Sequence, residues 1–197
     1  MDAPIAVIGW GSLIWDLEIL APHVQGPWRH RAGPELPLEF SRVSLKRKGA
    51  LAVCVDLMDG VPCWTSVIVS KRQTLAEART DLARRERSPD GFIGAFDAQT
   101  GQHWGRGQVA FRVAQWCRAG GWGGAVWTDL HSNFHSETGT AFSVDAGHTH
   151  LKTLTGPSLD EAVRYIHQAP ETTNTRLRRH LRDDPWWQNH VERILGE

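Results

Sequence analysis

A chain of 197 residues, 41% apolar and 22% charged, is long enough to bury a sizeable core and too ordinary in composition for a disordered or fibrous class. Lys+Arg and Asp+Glu balance at 22 each, so no basic excess recommends nucleic acid or an anionic membrane as a partner. Cys54, Cys63 and Cys117 are scattered without a Cys-x-x-Cys spacing, which fits reduced thiols in a cytoplasmic protein better than a disulfide framework.

The first apolar run, residues 5–15, lacks a basic flank and is broken by Gly9, Gly11 and Ser12. It is too short to span a bilayer and does not have the form of a signal peptide. Pro4 to Gly9 reads as a buried first strand feeding a loop. Pro22, Gly26, Pro27, Gly33, Pro34 and Pro37 then predict an irregular connection. Three strands are expected at 38–45, 50–57 and 63–69. In the second, Leu51, Val53, Val55 and Leu57 share one face, and Asp59-Gly60 supplies a hairpin turn to the third. Thr74 and Glu77 form a capping box for a helix over 74–87 whose apolar stripe is Leu75, Ala78 and Leu82. Further strands are expected at 108–113 and 125–128, either side of a glycine-rich connection.

The last forty or so residues change character. Ser158 and Glu161 repeat the capping box ahead of Leu159, Ala162, Val163 and Ile166, Leu177 and Leu181 suggest a second short helix, and Asp184-Pro185 opens a third that carries Trp187, Val191 and Ile194 inward. Strands first and helices last predict an α+β fold, a domain over 1–150 followed by a helical C-terminal extension over 151–197 packed on it. Ten tryptophans against one tyrosine put large aromatics in the core and along any groove.

Two features suit chemistry. Glycines at 9 and 11 bare the backbone at a strand end, so the segment Trp10, Gly11, Ser12, Leu13 is either a tight turn or a place where N–H groups meet a carboxylate or an oxyanion. Glu86 lies within roughly 55° of the apolar stripe of its helix at the α-helical repeat. It is either a proton shuttle held on the inward face or an end-of-helix carboxylate paired with Arg85.

The segment Val7-Ile8-Gly9-Trp10-Gly11-Ser12-Leu13-Ile14-Trp15 resembles the Tyr-Gly-Ser-Leu segment of the gamma-glutamylcyclotransferase superfamily, most closely its glutathione-specific branch. Leu82-Ala83-Arg84-Arg85-Glu86 is similar to that family's helix-ending Leu-x-x-Arg-Glu stretch. The likeness covers about residues 5 to 113. It implies a small mixed β-barrel flanked by helices, with Glu86 as acid/base and Trp10, Gly11, Ser12 and Leu13 binding a gamma-glutamyl group through backbone amides. It also implies cleavage of a gamma-glutamyl amide to 5-oxoproline and a free amine, without metal or organic cofactor. Trp10 stands where the family has tyrosine, and the single tyrosine, Tyr165, lies outside the likeness. The alternative expectation is a non-catalytic small-molecule-binding or interaction protein on the same fold.

His131, His135, His148 and His150 cluster in sequence with Glu137 and Asp145 between them. They read as a polar loop, or as a metal site on the strength of His-x3-His, although His-Glu-x-x-His is absent. Cys54, opposite the apolar face of its strand, reads as a structural thiol. Gly120 to Gly124 lacks the Lys-Ser/Thr ending of a phosphate loop and reads as a connection or a lid. Arg176 to His180 is basic but flanked by Asp183 and Asp184, a solvated helix face.

Overall fold

The computed structural model describes residues 3–196. Its strands are β1 (Ile5–Gly9), β2 (Val24–Arg29), β3 (Glu35–Ser44), β4 (Ala50–Val55), β5 (Val61–Trp64), β6 (Ser66–Ser70), β7 (Ile93–Asp97), β8 (His103–Trp104) and β9 (Gly124–Thr128). Its helices are α1 (Leu75–Glu86), α2 (Gly107–Gly120), α3 (Phe134–Thr138), α4 (Val144–Thr153), α5 (Pro157–Gln168), α6 (Arg176–Arg182) and α7 (Pro185–Leu195). The α+β class holds. Contacts group the chain into two compact units, Met1–Leu36 with Trp64–Leu130 and Pro37–Cys63 with His131–Glu197. A boundary at residue 150 would cut α4.

The first unit is built on a six-stranded sheet ordered β2-β6-β1-β9-β7-β8. The β1–β9 pair is parallel, while β6 pairs antiparallel with β1 and β2, and β7 with β8 and β9. No closed barrel forms among the described residues, which corrects the expected barrel: β2 and β8 end the sheet. Both are poor partners for closure. Pro27 has no N–H for a ladder and the register of β2 shifts between Gln25 and Arg29, while β8 is two residues long. The stretch read as an irregular connection therefore holds an edge strand that tolerates its proline and glycine.

The central strand β1 is buried along its whole length. Its alternate residues Ile5 and Val7 join Leu13, Leu20, Ile68, Ile93, Ala95 and Val126 in a cluster closed by Ala78, Leu82 and Ala83 of α1. Helix α1 starts where its capping box requires, with the Thr74 side chain accepting from Glu77 N and Glu77 reaching back to Thr74 N. The opposite face of the sheet carries Phe96, over which Arg118 of α2 lies 5.3 Å from the ring centroid. Here the expected strand at 108–113 is a helix. A strand would place Val109, Phe111 and Val113 on one face, but Val109 and Val113 are buried while Phe111 is 63% exposed, the spacing of a helix that continues to Cys117. Gly121 ends α2 in the left-handed region, and Trp122 returns to stack on Trp116 with centroids 5.3 Å apart. The glycine-rich stretch is a helix cap leading into β9.

The second unit holds a three-stranded sheet ordered β4-β3-β5. Asp59-Gly60 does form a turn, with Gly60 N donating to Asp56 O, but it is not a hairpin turn: β5 lies beside β3 and not beside β4. The run expected as one strand at 63–69 is two, β5 and β6, one in each sheet. Beside β3, Asn133 accepts from Val43 N and donates to Val43 O, and Ser132 donates to Ser41 O. Helix α5 packs on β4 and buries Leu159, Ala162, Val163 and Ile166 as its pattern predicted. Its cap differs. Gly156 is the N-cap, Ser158 sits inside the helix, and Glu161 pairs with Arg47 instead of closing a box. Helix α7 begins as expected, Asp184 accepting from Trp187 N with Pro185 in the first turn.

Glu39, fully buried on β3, is the polar joint of this unit. One carboxylate oxygen accepts from Phe40 N at 2.8 Å and the other from Arg176 N at 3.0 Å, at the start of α6. Burial pushes the Glu39 carboxyl above its usual value, against the pull of the Thr175 hydroxyl and these N–H groups. In Glu39→Gln the amide nitrogen faces a donor whichever way it is turned. The expected cost is about 1–3 kcal/mol, read as a lower urea midpoint at unchanged slope.

Candidate functional site

The strand β1 ends at Gly9, a position without room for a side chain because the indole of Trp28 occupies the space; a Cβ there would lie 2.9 Å from the ring. The chain then closes into a single helical turn, Ile14 N donating to Gly11 O and Asp16 N to Ser12 O, both at 2.9 Å. In such a turn the first N–H groups, here those of Gly11 to Leu13, have no partner within the turn itself and sit at its positive end. Leu13 is buried in the cluster under α1, anchoring the loop by packing. Trp10 is 6% exposed, whereas Trp15 is 36% exposed, so Trp15 is the indole that presents surface beside this loop.

Glu86 is the last residue of α1, and Arg87 caps the helix in the left-handed region with φ 51°. Two arginines tie this helix end to the loop, across 69 positions of sequence. Arg85 Nη2 donates to Asp16 O at 2.6 Å, and Arg87 Nη2 donates to Glu18 Oε2 at 2.9 Å. Arg85 is 2% exposed, and its Nη1 donates to Glu86 Oε1 at 3.2 Å, while its buried Nε has no hydrogen-bond partner. Of the two readings of Glu86, the ion pair with Arg85 is the one the structure shows. Glu86 keeps its side chain 17% exposed beside that pair. One guanidinium bonded to the loop carbonyl and to the Glu86 carboxylate sets the position of that carboxylate relative to the loop. A carboxylate held by a guanidinium at a helix end can exchange a proton with an amine, and N–H groups at the start of a turn can receive negative charge. Sequence pattern names Glu86 and residues 10–13. It treats Arg85 only as a pairing neighbour and passes over Arg87, because nothing local marks a partner 69 residues away.

The histidines of the second unit part company. Arg42 donates to the His131 carbonyl, and His150 Nε2 lies 2.8 Å from Gly49 O with its ring against Phe134. His148, two residues earlier on α4, points to another side of the helix and meets His180 of α6 and Asp184. Burial pushes the His148 imidazole below its usual value, which outweighs the upward pull of Asp184. For Asp184 burial works upward, but the Trp187 N–H and neighbouring positive charge bring its carboxyl down. Cys54 is buried with Sγ 3.4 Å from the Ser41 hydroxyl, which donates to Asp56, so it is packed as a structural thiol is. No helix among the described residues is long and apolar enough to cross a membrane. No family model matches this chain, and neither does any curated protein or solved structure.

Proposed function

We propose that this protein is a gamma-glutamylcyclotransferase-like enzyme that cleaves a gamma-glutamyl amide to 5-oxoproline and a free amine. The free α-amine of the glutamyl group attacks its own side-chain carbonyl, the five-membered lactam closes, and the amide C–N bond breaks. Glu86 takes the proton from the attacking amine and returns it to the leaving nitrogen, so proton and leaving group balance. Backbone N–H groups of Gly11, Ser12 and Leu13 receive the oxyanion, and holding the glutamyl chain curled supplies much of the acceleration through proximity. The observation that carries this reading is the double tether of the Glu86 helix end, Arg85 to Asp16 O and Arg87 to Glu18, which holds that helix end to the residues directly following the Val7–Trp15 segment.

The substrate proposed is a small molecule with a free α-amine and a free α-carboxylate on its glutamyl end, without selectivity for glutathione. Trp10 lacks the family's phenolic hydroxyl, and the exposed face of Trp15 offers apolar area to a bulkier leaving group. The test is 5-oxoproline release from glutathione, gamma-glutamyl amines and gamma-glutamyl peptides, each beside its N-acetylated form. Release is expected from the free amines alone. Turnover of an acetylated substrate would overturn the cyclisation. A second reading, a non-catalytic binding protein, is favoured by the Arg85–Glu86 ion pair, and it predicts saturable binding of the same compounds with no release.

A further inference from the structure

We propose that the second unit carries a site for a zinc-class divalent transition metal, with His148, His180 and Asp184 as its ligands. One ring nitrogen from each histidine and one carboxylate oxygen of Asp184 lie within 4.8 Å of one another. They come from three separate elements, α4, α6 and the N-cap of α7, and only the fold brings them together.

Three observations point to an ion. First, His148 Nε2 is buried and has no hydrogen-bond partner, although Asp184 Oδ1 stands 3.3 Å away. A nitrogen and a carboxylate oxygen that are close without being aligned on each other are arranged as co-ligands are: with metal–ligand bonds of about 2.0–2.2 Å, neighbouring donors at a tetrahedral centre stand about 3.3–3.5 Å apart. Second, the other face of His148 is already held. Its Nδ1 is 3.1 Å from His180 Nε2, and the rings meet at 67° with centroids 4.8 Å apart, so the two imidazoles sit side by side. Third, the carboxylate is fixed before any ion arrives, because Asp184 Oδ1 accepts from Trp187 N at 2.8 Å as the cap of α7. A pre-set carboxylate with two imidazoles is a nitrogen-rich donor set, which suits zinc and its neighbours better than calcium or magnesium.

One charge opposes the ion. Lys152 lies over the Trp186 ring at 5.5 Å from its centroid, and that ring is 5.7 Å from the ring of His148. The ammonium repels a cation bound beside it, so its removal tightens binding, a sign that a merely structural histidine pair does not predict.

The experiment is calorimetric titration of the metal-stripped full-length protein with Zn2+, with Co2+ absorption as a second readout. One saturable equivalent is expected. His180→Ala and Asp184→Asn each weaken it by about tenfold or more, on the scale at which ligand and orienting groups act. Asparagine caps a helix as well as aspartate, so Asp184→Asn keeps the fold while losing the charged ligand. Lys152→Met binds more tightly than wild type. His190→Ala, whose ring contacts Trp186 and not the triad, binds as wild type does. Absence of saturable Zn2+ binding in the wild type overturns the site, as do wild-type affinities in both His180→Ala and Asp184→Asn.

Discussion

Glu86→Gln is expected to lower turnover on gamma-glutamyl substrates by about 10²–10⁴-fold, the usual range for a positioned acid/base, with the protein still folded. Glutamine keeps the size of the side chain and an oxygen for the 3.2 Å bond from Arg85 Nη1, but it cannot accept and return a proton. The tether to the loop is untouched, since it uses Arg85 Nη2 and Asp16 O. Loss of activity in this variant, with circular dichroism and the unfolding midpoint as in wild type, separates chemistry from folding. Arg85→Lys gives the complementary loss: a lysine cannot bond the loop carbonyl and the carboxylate in a planar fork, so activity falls along with the ordering of the loop. Turnover of Glu86→Gln near the wild-type rate would remove this carboxylate from the mechanism.

A large loss of stability is expected from Gly94→Ala. Gly94 of β7 is paired with Trp127 of β9, and the fully buried indole folds back over it. A Cβ at Gly94 would stand 2.1 to 2.4 Å from Cε2, Nε1 and Cζ2 of that ring, well inside contact distance. Neither side can yield cheaply. Both strands are interior to the sheet, and the Trp127 Nε1 points to Asp129, whose carboxylate is bonded to Arg106. Overpacking of this kind costs about 1–3 kcal/mol and sometimes more, and the upper end is expected here. Trp127→Leu alone opens a cavity and is itself destabilising by several kcal/mol, about 3–5 by analogy with large aromatic truncations. In that background, however, the added methyl of Gly94→Ala has room, and the second change costs little. A double-mutant cycle by urea unfolding measures the coupling. Equal costs of Gly94→Ala in both backgrounds would mean that the contact with the indole is not what excludes the side chain.

Signals carried by a few neighbouring residues were legible in the sequence. Thr74 with Glu77 marks the start of α1, Asp184-Pro185 marks α7, and the apolar runs ending at glycine mark β1, because caps and turns are satisfied by atoms a few positions away. Glu86 and residues 10–13 could be named as candidates for the same reason: each motif is complete in a short segment. The tertiary structure decided what local periodicity leaves open. Val109, Phe111 and Val113 alternate as a strand would, and the helix α2 follows from burial against a sheet that leaves Phe111 outside. The run from Cys63 to Val69 consists of good strand formers throughout, yet Gly33 N donates to Thr65 O and the Thr65 hydroxyl to Pro34 O, and the chain changes sheets there. Arg85 and Arg87 reach partners 69 residues distant, and His148 finds His180 rather than the nearer His150. Sequence by itself marked the element starts that a cap or a terminal glycine signals, as in β1, α1 and α7, and named candidate side chains, because those depend on bonds within a turn or two. Which strands pair and which charged groups meet depends on long-range burial, where an unpartnered charge or N–H is costly and the chain must supply the partner from wherever the fold brings it.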